Sequence, residues 1–272
     1  LFCIPLLLLS GCKSKSLNPE VNIFIWGSIA AYYNTSNDKW DYTEMVWLMC
    51  EPMLDPDDIH IVLKSAIQAN DLNVKEVMPG CIWYLNNIEL QLGIACTLKM
   101  DCYAGCAQGV TFIPGDFAVR SPVEYEVLPS QQAVNIVWSK APYAEWYILD
   151  LRFSAYDSIT YLGMRDTEYI TTDTNLVIGA DFFDYPNASY ILATVSIYAY
   201  SESQPDSGLK GNITGDFNGF LFANTECKED RHFYVGNPPS KSAENIKFPT
   251  SLNPQEYQIR FYERFYNNRY RN

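Results

Sequence analysis

The 272-residue sequence predicts an all-β protein of two sandwich domains closed by a short C-terminal helix. Three observations point there. Tyr occurs 20 times and aromatics make up 15% of the chain, residue types that suit the pleated, half-buried surface of strands. Short apolar runs, several of them alternating with polar residues, recur along the chain. Gly, Pro, Asn and Asp punctuate them as turn signals. A hydrophobic content of 48% against 19% charged residues is that of folded domains, not of a disordered chain.

Charge narrows the partners. Lys and Arg number 19 against 32 Asp and Glu, a net charge of −13. Such a surface repels phosphate backbones, so nucleic acid is excluded for the body. Residues 241–272 run the other way, with six basic and three acidic side chains, or +3, leaving −16 on the remainder.

The elements follow in order. Residues 1–9 form an uncharged apolar run, shorter than the roughly 20 residues that a membrane-spanning helix needs. The run has the length of a signal-peptide hydrophobic region, about 7–15 residues. Leu9-Ser10-Gly11-Cys12 comes next, then the polar stretch Lys13-Ser14-Lys15-Ser16. This resembles the lipobox of bacterial lipoproteins: an aliphatic residue, two small ones, then the cysteine that receives lipid. The alternative is a buried strand or helix that ends in Gly-Cys. The resemblance implies a truncated signal peptide over 1–11, lipidation at Cys12 and a tether over 12–20. Several acyl chains on one cysteine anchor stably where a single chain does not, so the membrane is the implied partner. The expected address is the cell envelope. Lys13, in place of the aspartate linked to inner-membrane retention, favours the outer membrane.

Residues 21–119 read as an N-terminal β-rich domain. Strands are expected at residues 21–26, 59–63, 81–85 and 88–92, the last after an Asn86-Asn87 turn. Residues 112–116 close the unit. A second domain over 120–235 starts near Arg120-Ser121-Pro122, with strands at 133–138, 145–153 and 190–200. Trp138, the run Ala144-x-x-Tyr147-x-Leu149, Leu176 and the Tyr-led strand from Tyr190 resemble the fibronectin type III pattern across roughly 120–225. The resemblance implies an immunoglobulin-like sandwich whose business is binding, spacing or display. Val195, Ile197 and Ala199 lie at odd spacing from Tyr190, so a bulge or a different register is expected there. Asn218-Gly219 predicts a hairpin turn.

Residues 236–272 read as a linker and an amphipathic helix. Asn253 caps it, Pro254 sits in the first turn and Glu256 closes a capping box. Arg260 and Arg264 flank a stripe of Tyr257, Phe261 and Phe265. The helix either packs on its own domain or docks on a partner or a membrane surface.

Chemistry-bearing residues are few. With Cys3 in the leader and Cys12 acylated, Cys50, Cys81, Cys96, Cys102, Cys106 and Cys227 remain. An exported compartment permits disulfides, and the cluster from Cys81 to Cys106 predicts one or two local ones. A zinc site and buried thiols are the alternatives, with no C-x-x-C pair and no adjacent His to favour zinc. The two histidines, His60 and His232, lie in an apolar strand pattern and a charged run. Nucleophile elbows, zinc-hydrolase motifs and P-loops are lacking, so the expectation is a non-enzyme with no metal and no cofactor. Asp55-Pro56-Asp57-Asp58 and Asp216-x-Asn218-Gly219 fit turn chemistry better than calcium. Among the aromatics, Trp40, Tyr42, Tyr143 and Trp146 adjoin polar turns and are the candidate contacts for a protein or glycan. The leading expectation is a lipid-anchored envelope protein with a binding or scaffolding role. The alternatives are a carbohydrate-binding or hydrolytic envelope component and a subunit of an envelope assembly docking through its tail.

Overall fold

In the computed structural model the described residues are 22–51, 54–65, 69–78, 81–86, 90–202 and 211–238. Strands β1 (Asn22–Asn34) and β2 (Lys39–Glu51) make a long hairpin through a turn at residues 35–38. Then come β3 (His60–Ser65), β4 (Ala69–Asp71), β5 (Asn73–Met78), β6 (Cys81–Asn86), β7 (Ala95–Cys102) and β8 (Gly105–Phe112). The second half holds β9 (Val119–Ser121), β10 (Glu126–Leu128), β11 (Val134–Trp138), β12 (Trp146–Asp157), β13 (Thr160–Thr171) and β14 (Asn175–Ile178). It ends with β15 (Tyr190–Tyr200), β16 (Ile213–Gly215), β17 (Asn218–Glu226) and β18 (Arg231–Gly236). The helical content among the described residues is two short 3₁₀ turns, Pro56–Asp58 and Ala180–Phe183. The protein is all-β and sandwich-like, as expected. The C-terminal helix with Arg260 and Arg264, and the amino-terminal segment with Cys12, lie outside the described residues.

The strands form one large curled sheet and a small one. The path through the large sheet runs β4-β3-β7-β8-β16-β17-β1-β2-β6-β5, while β9, β11 and β14 make the small sheet. Strand β17 joins the two halves: residues 218–225 run parallel to β1, and residues 224–226 pair antiparallel with the end of β15. One core gathers Ile23, Ile25, Leu48, Ile61, Leu98 and Ile113 with Ile213 and Leu221. A second holds Trp138, Tyr147, Leu149, Phe153, Val195, Ile197 and Phe233. A third, aromatic cluster lies on the reverse face of β1 and β2, where Trp26, Trp47, Phe220 and Phe222 meet Trp146, Tyr198 and Tyr200. Both faces of the β1–β2 hairpin are therefore covered, which is why its sequence loses alternation after Ile23.

Within the second core, Tyr147 packs edge-on against Trp138 at 5.5 Å and Phe117 at 5.9 Å, and its hydroxyl accepts the Ala141 N–H at 3.0 Å. Phe153, fully buried, meets Phe182 edge-on at 5.3 Å. Removing such a ring costs about 3–5 kcal/mol.

Two expectations are corrected, and of the bulge or different register expected at Tyr190 the second holds. Strand β15 keeps an unbroken register with β12 from Tyr190↔Tyr156 to Tyr200↔Trp146, without a bulge. Tyr190 points away from Ile191, Ala193 and Val195 and stacks on Tyr156 at 5.5 Å, because side chains alternate with period 2. Asn218 and Gly219 lie inside β17, so the turn from β16 is made by Asp216 and Phe217. Leu90 and Gln91 form no strand, although Leu90 is buried and Leu92 packs on the core. Alternation there records which side chains face the core, and a ladder partner is a separate requirement.

Candidate functional site

A cleft of about 440 Å³ opens where β17 hands over to β18. Residues 227–230 interrupt what would otherwise be one continuous partner for β15, because β17 pairs with residues 198–200 and β18 with residues 190–195. The interruption pushes a charged run out between two apolar strands. Tyr33 from the end of β1 and Thr35 from the turn after it, Glu124 and Tyr125 from the segment before β10, and Glu226 to Asp230 with His232 line the space.

Most of its charged groups are held by protein partners. Glu124 Oε1 lies 2.9 Å from His232 Nδ1, and Glu124 Oε2 accepts the His232 backbone N–H at 3.0 Å. Arg231 Nη1 stands 3.6 Å from the same Oε2 while Nη2 donates to the Val119 carbonyl at 2.8 Å. Tyr125 adopts φ 60, donates its N–H to the His232 carbonyl at 2.7 Å and stacks on the His232 ring at 6.1 Å. Ser196 donates to Asp230 Oδ1 at 2.7 Å. The Lys228 ammonium sits 4.4 Å from the centre of the Tyr33 ring, and the Tyr33 hydroxyl donates to Asp38.

Glu226 is the outlier. Burial, reinforced by the charge on Asp230, pushes its carboxyl up to about 8, with a hydrogen bond from Tyr198 opposing. The acid is therefore neutral at pH 7 and can donate a proton or a hydrogen bond. Cys227 beside it is buried and pushed well up, chiefly by desolvation, so it is an inert thiol. Its N–H donates to the Ile197 carbonyl at 2.8 Å, pinning the interruption to β15.

The expected contact residues separate. Tyr143 is exposed and stacks on Phe112. Trp40 is half-buried, with its ring 5.4 Å from Tyr33. Tyr42 is buried in the first core, and Trp146 is buried against Tyr200 at 4.2 Å with Nε1 donating to the Glu202 carbonyl. These two rings fill the interior.

The disulfide expectation is overturned for the described thiols. Cys50, Cys96, Cys102, Cys106 and Cys227 are all buried and none is in a disulfide. Asp101↔Cys106 and Cys102↔Gly105 pair across the β7–β8 hairpin, so Cys102 and Cys106 point to opposite faces. Cys96 shares a face with Cys102 but stands six residues away, about 20 Å along the strand. Cys81 is placed by its backbone, opposite Met49.

His60 Nε2 lies 3.0 Å from Asp71 on the surface. Asp55 accepts the Asp57 N–H at 3.1 Å, the turn chemistry expected of it, whereas Asp216 accepts the N–H of Cys106, 110 residues away, at 2.9 Å, a contact to the β7–β8 hairpin. Sequence reading missed Tyr33, Glu124, Tyr125, Glu226 and Asp230. The run Lys228-Glu229-Asp230-Arg231-His232 set between two apolar strands was a local signal for Glu226 and Asp230, and nothing local marked Tyr33, Glu124 or Tyr125.

No family model and no curated protein matches this chain.

Proposed function

We propose that the chain is a lipid-anchored cell-envelope protein, held by Cys12, with a binding role served by the cleft between β17 and β18. The cleft is the observation that carries the binding reading. Glu124 is already tied to Arg231 and His232, and Asp230 to Ser196, so the walls are set before a ligand arrives. Preorganised polar walls reduce the ordering that binding must impose. An outer-membrane address and docking through the tail near Arg260 and Arg264 complete the proposal.

The anchor is tested by expressing the chain behind a complete bacterial leader and comparing it with Cys12→Ser. Acylated peptide from wild type in the membrane fraction, and a soluble variant, are expected. Wild type that is soluble and keeps its leading leucines removes the envelope address. The binding role is tested by a thermal-shift screen of amines, amino acids and sugars against wild type and Asp230→Asn. Hits lost in the variant support it; the same hits in both proteins place the site elsewhere.

One observation favours a second reading. A carboxyl kept neutral at pH 7 beside another carboxyl, as Glu226 is beside Asp230, is the pairing that glycoside hydrolysis needs. Turnover of chromogenic aryl glycosides by wild type and not by Glu226→Gln is the expected result under that reading. No turnover by either dismisses it.

A further inference from the structure

Tyr143 and Phe112 form an exposed aromatic pair apart from the cleft. Their ring centroids are 5.0 Å apart and their planes differ by 11°. Tyr143 is 55% exposed and Phe112 38%, whereas rings such as Tyr147, Phe153 and Tyr190 are buried almost completely. One face of Tyr143 rests on Phe112 and its Cε2 edge lies near Gly93, with the rest of the ring open enough to leave the residue 55% exposed.

The backbone fixes this presentation. Tyr143 adopts φ 63, a conformation that side chains with a Cβ rarely take. The turn carrying it is held from two sides. Ala141 donates to the Tyr147 hydroxyl at 3.0 Å and Ala144 N–H to the Ala141 carbonyl at 3.2 Å. Gly115 N–H donates to the Pro142 carbonyl at 2.8 Å, with the Pro142 ring so close that a Cβ on Gly115 would stand 2.8 Å away. Tyr143 shares with Tyr125 of the cleft a left-handed φ and an exposed ring, and local strain of this kind gathers at binding sites.

We infer that the outer face of Tyr143, backed by Phe112, is a stacking platform for a sugar ring of a neutral glycan. A pyranose presents a flat face of C–H groups that suits the electron-rich face of a phenol. Thr97, Lys99 and Gln108 follow Phe112 along the outward face of β7 and β8. Thr97 is near enough to Phe112 to bond a hydroxyl of such a ring, and Lys99 and Gln108, about 13 Å along the strand, suit a neighbouring sugar. The net charge of −13 disfavours acidic polysaccharides. A protein partner calls for a broader apolar centre, and here the face turns polar beyond Val110.

The test is affinity electrophoresis of the whole chain through gels containing laminarin, hydroxyethylcellulose or dextran. Retardation of wild type by at least one of these neutral glucans is expected. Tyr143→Asn removes the ring and suits the positive φ, so it should keep or raise the melting temperature while weakening retardation about tenfold or more. Tyr143→Trp should retain binding, with indole fluorescence that changes on titration with the same glucan. Failure of all three glucans overturns the proposal, as does retardation unaltered in Tyr143→Asn. Loss of melting temperature in Tyr143→Asn, with an unresponsive indole in Tyr143→Trp, makes the pair a packing contact only. Tyr143-dependent retention on phenyl-agarose without glucan retardation makes it a protein-docking patch and also overturns it. Retardation that came from the cleft would persist in Tyr143→Asn, so the two sites are told apart.

Discussion

Gly219 lies opposite Ile25 in the parallel pair of β1 and β17, so close that a Cβ on it would stand 1.9 Å from the Ile25 carbonyl oxygen. This contact lets a late strand dock beside the first strand and so joins the two halves of the chain. Gly219→Ala must push the two backbones apart and weaken the ladder. A loss of about 2–4 kcal/mol is expected, read from the urea midpoint. An unchanged midpoint would mean that β1 and β17 do not pair.

Glu44 on β2 is 1% exposed, and neither carboxylate oxygen meets a hydrogen-bond partner among the described residues. Desolvation raises it from 4.5 to about 8. The folded protein therefore holds a proton between pH 4.5 and 8 that the unfolded chain releases. From this group stability is greatest below pH 4.5, falls as pH rises to 8 and then levels off, by up to about 5 kcal/mol. Glu226, also raised to about 8, adds a slope of the same sign. Chemical denaturation at pH 5, 7 and 9 should show a shallower fall in Glu44→Gln; equal slopes would refute the assignment.

The five buried thiols bear on the redox question. With Cys3, Cys12 and Cys81 replaced by Ser, Ellman's reagent should label none in the native state. All five should react in concentrated guanidinium without added reductant. Rapid native labelling would contradict their burial, and a need for reductant would restore the disulfides.

Tyr147→Phe removes the acceptor of the buried Ala141 N–H while leaving the ring against Trp138. A loss of about 1–2 kcal/mol is expected by thermal or urea denaturation. No loss would show that water replaces the hydroxyl.

Legibility varied with the kind of information each residue carries. The strand from Tyr190 to Tyr200 was read to the residue, because its β-branched and aromatic run is bounded by turn signals. Trp138, Tyr147 and Leu149 were placed together in one pattern and do share one core. Strands β2, β4, β5, β7, β8, β10, β13, β14 and β18 were not read as such, and β17 was read only as one arm of a hairpin. The first carries apolar residues on both faces, and β13 faces water along much of its length. The cleft was illegible because Tyr33, Glu124 and Glu226 are brought together from three distant segments.

Composition and local pattern were enough to determine a β-rich body, a net charge of −13 and some of the turns, since these depend on residue counts and on neighbours a few residues apart. The tertiary structure alone decided that β17 joins β1 to β15, that Cys102 and Cys106 face opposite ways, and that Trp146 is interior while Tyr143 is not. Strand register and burial depend on partners far along the chain, and a one-residue slip in pairing exchanges the two faces of a strand.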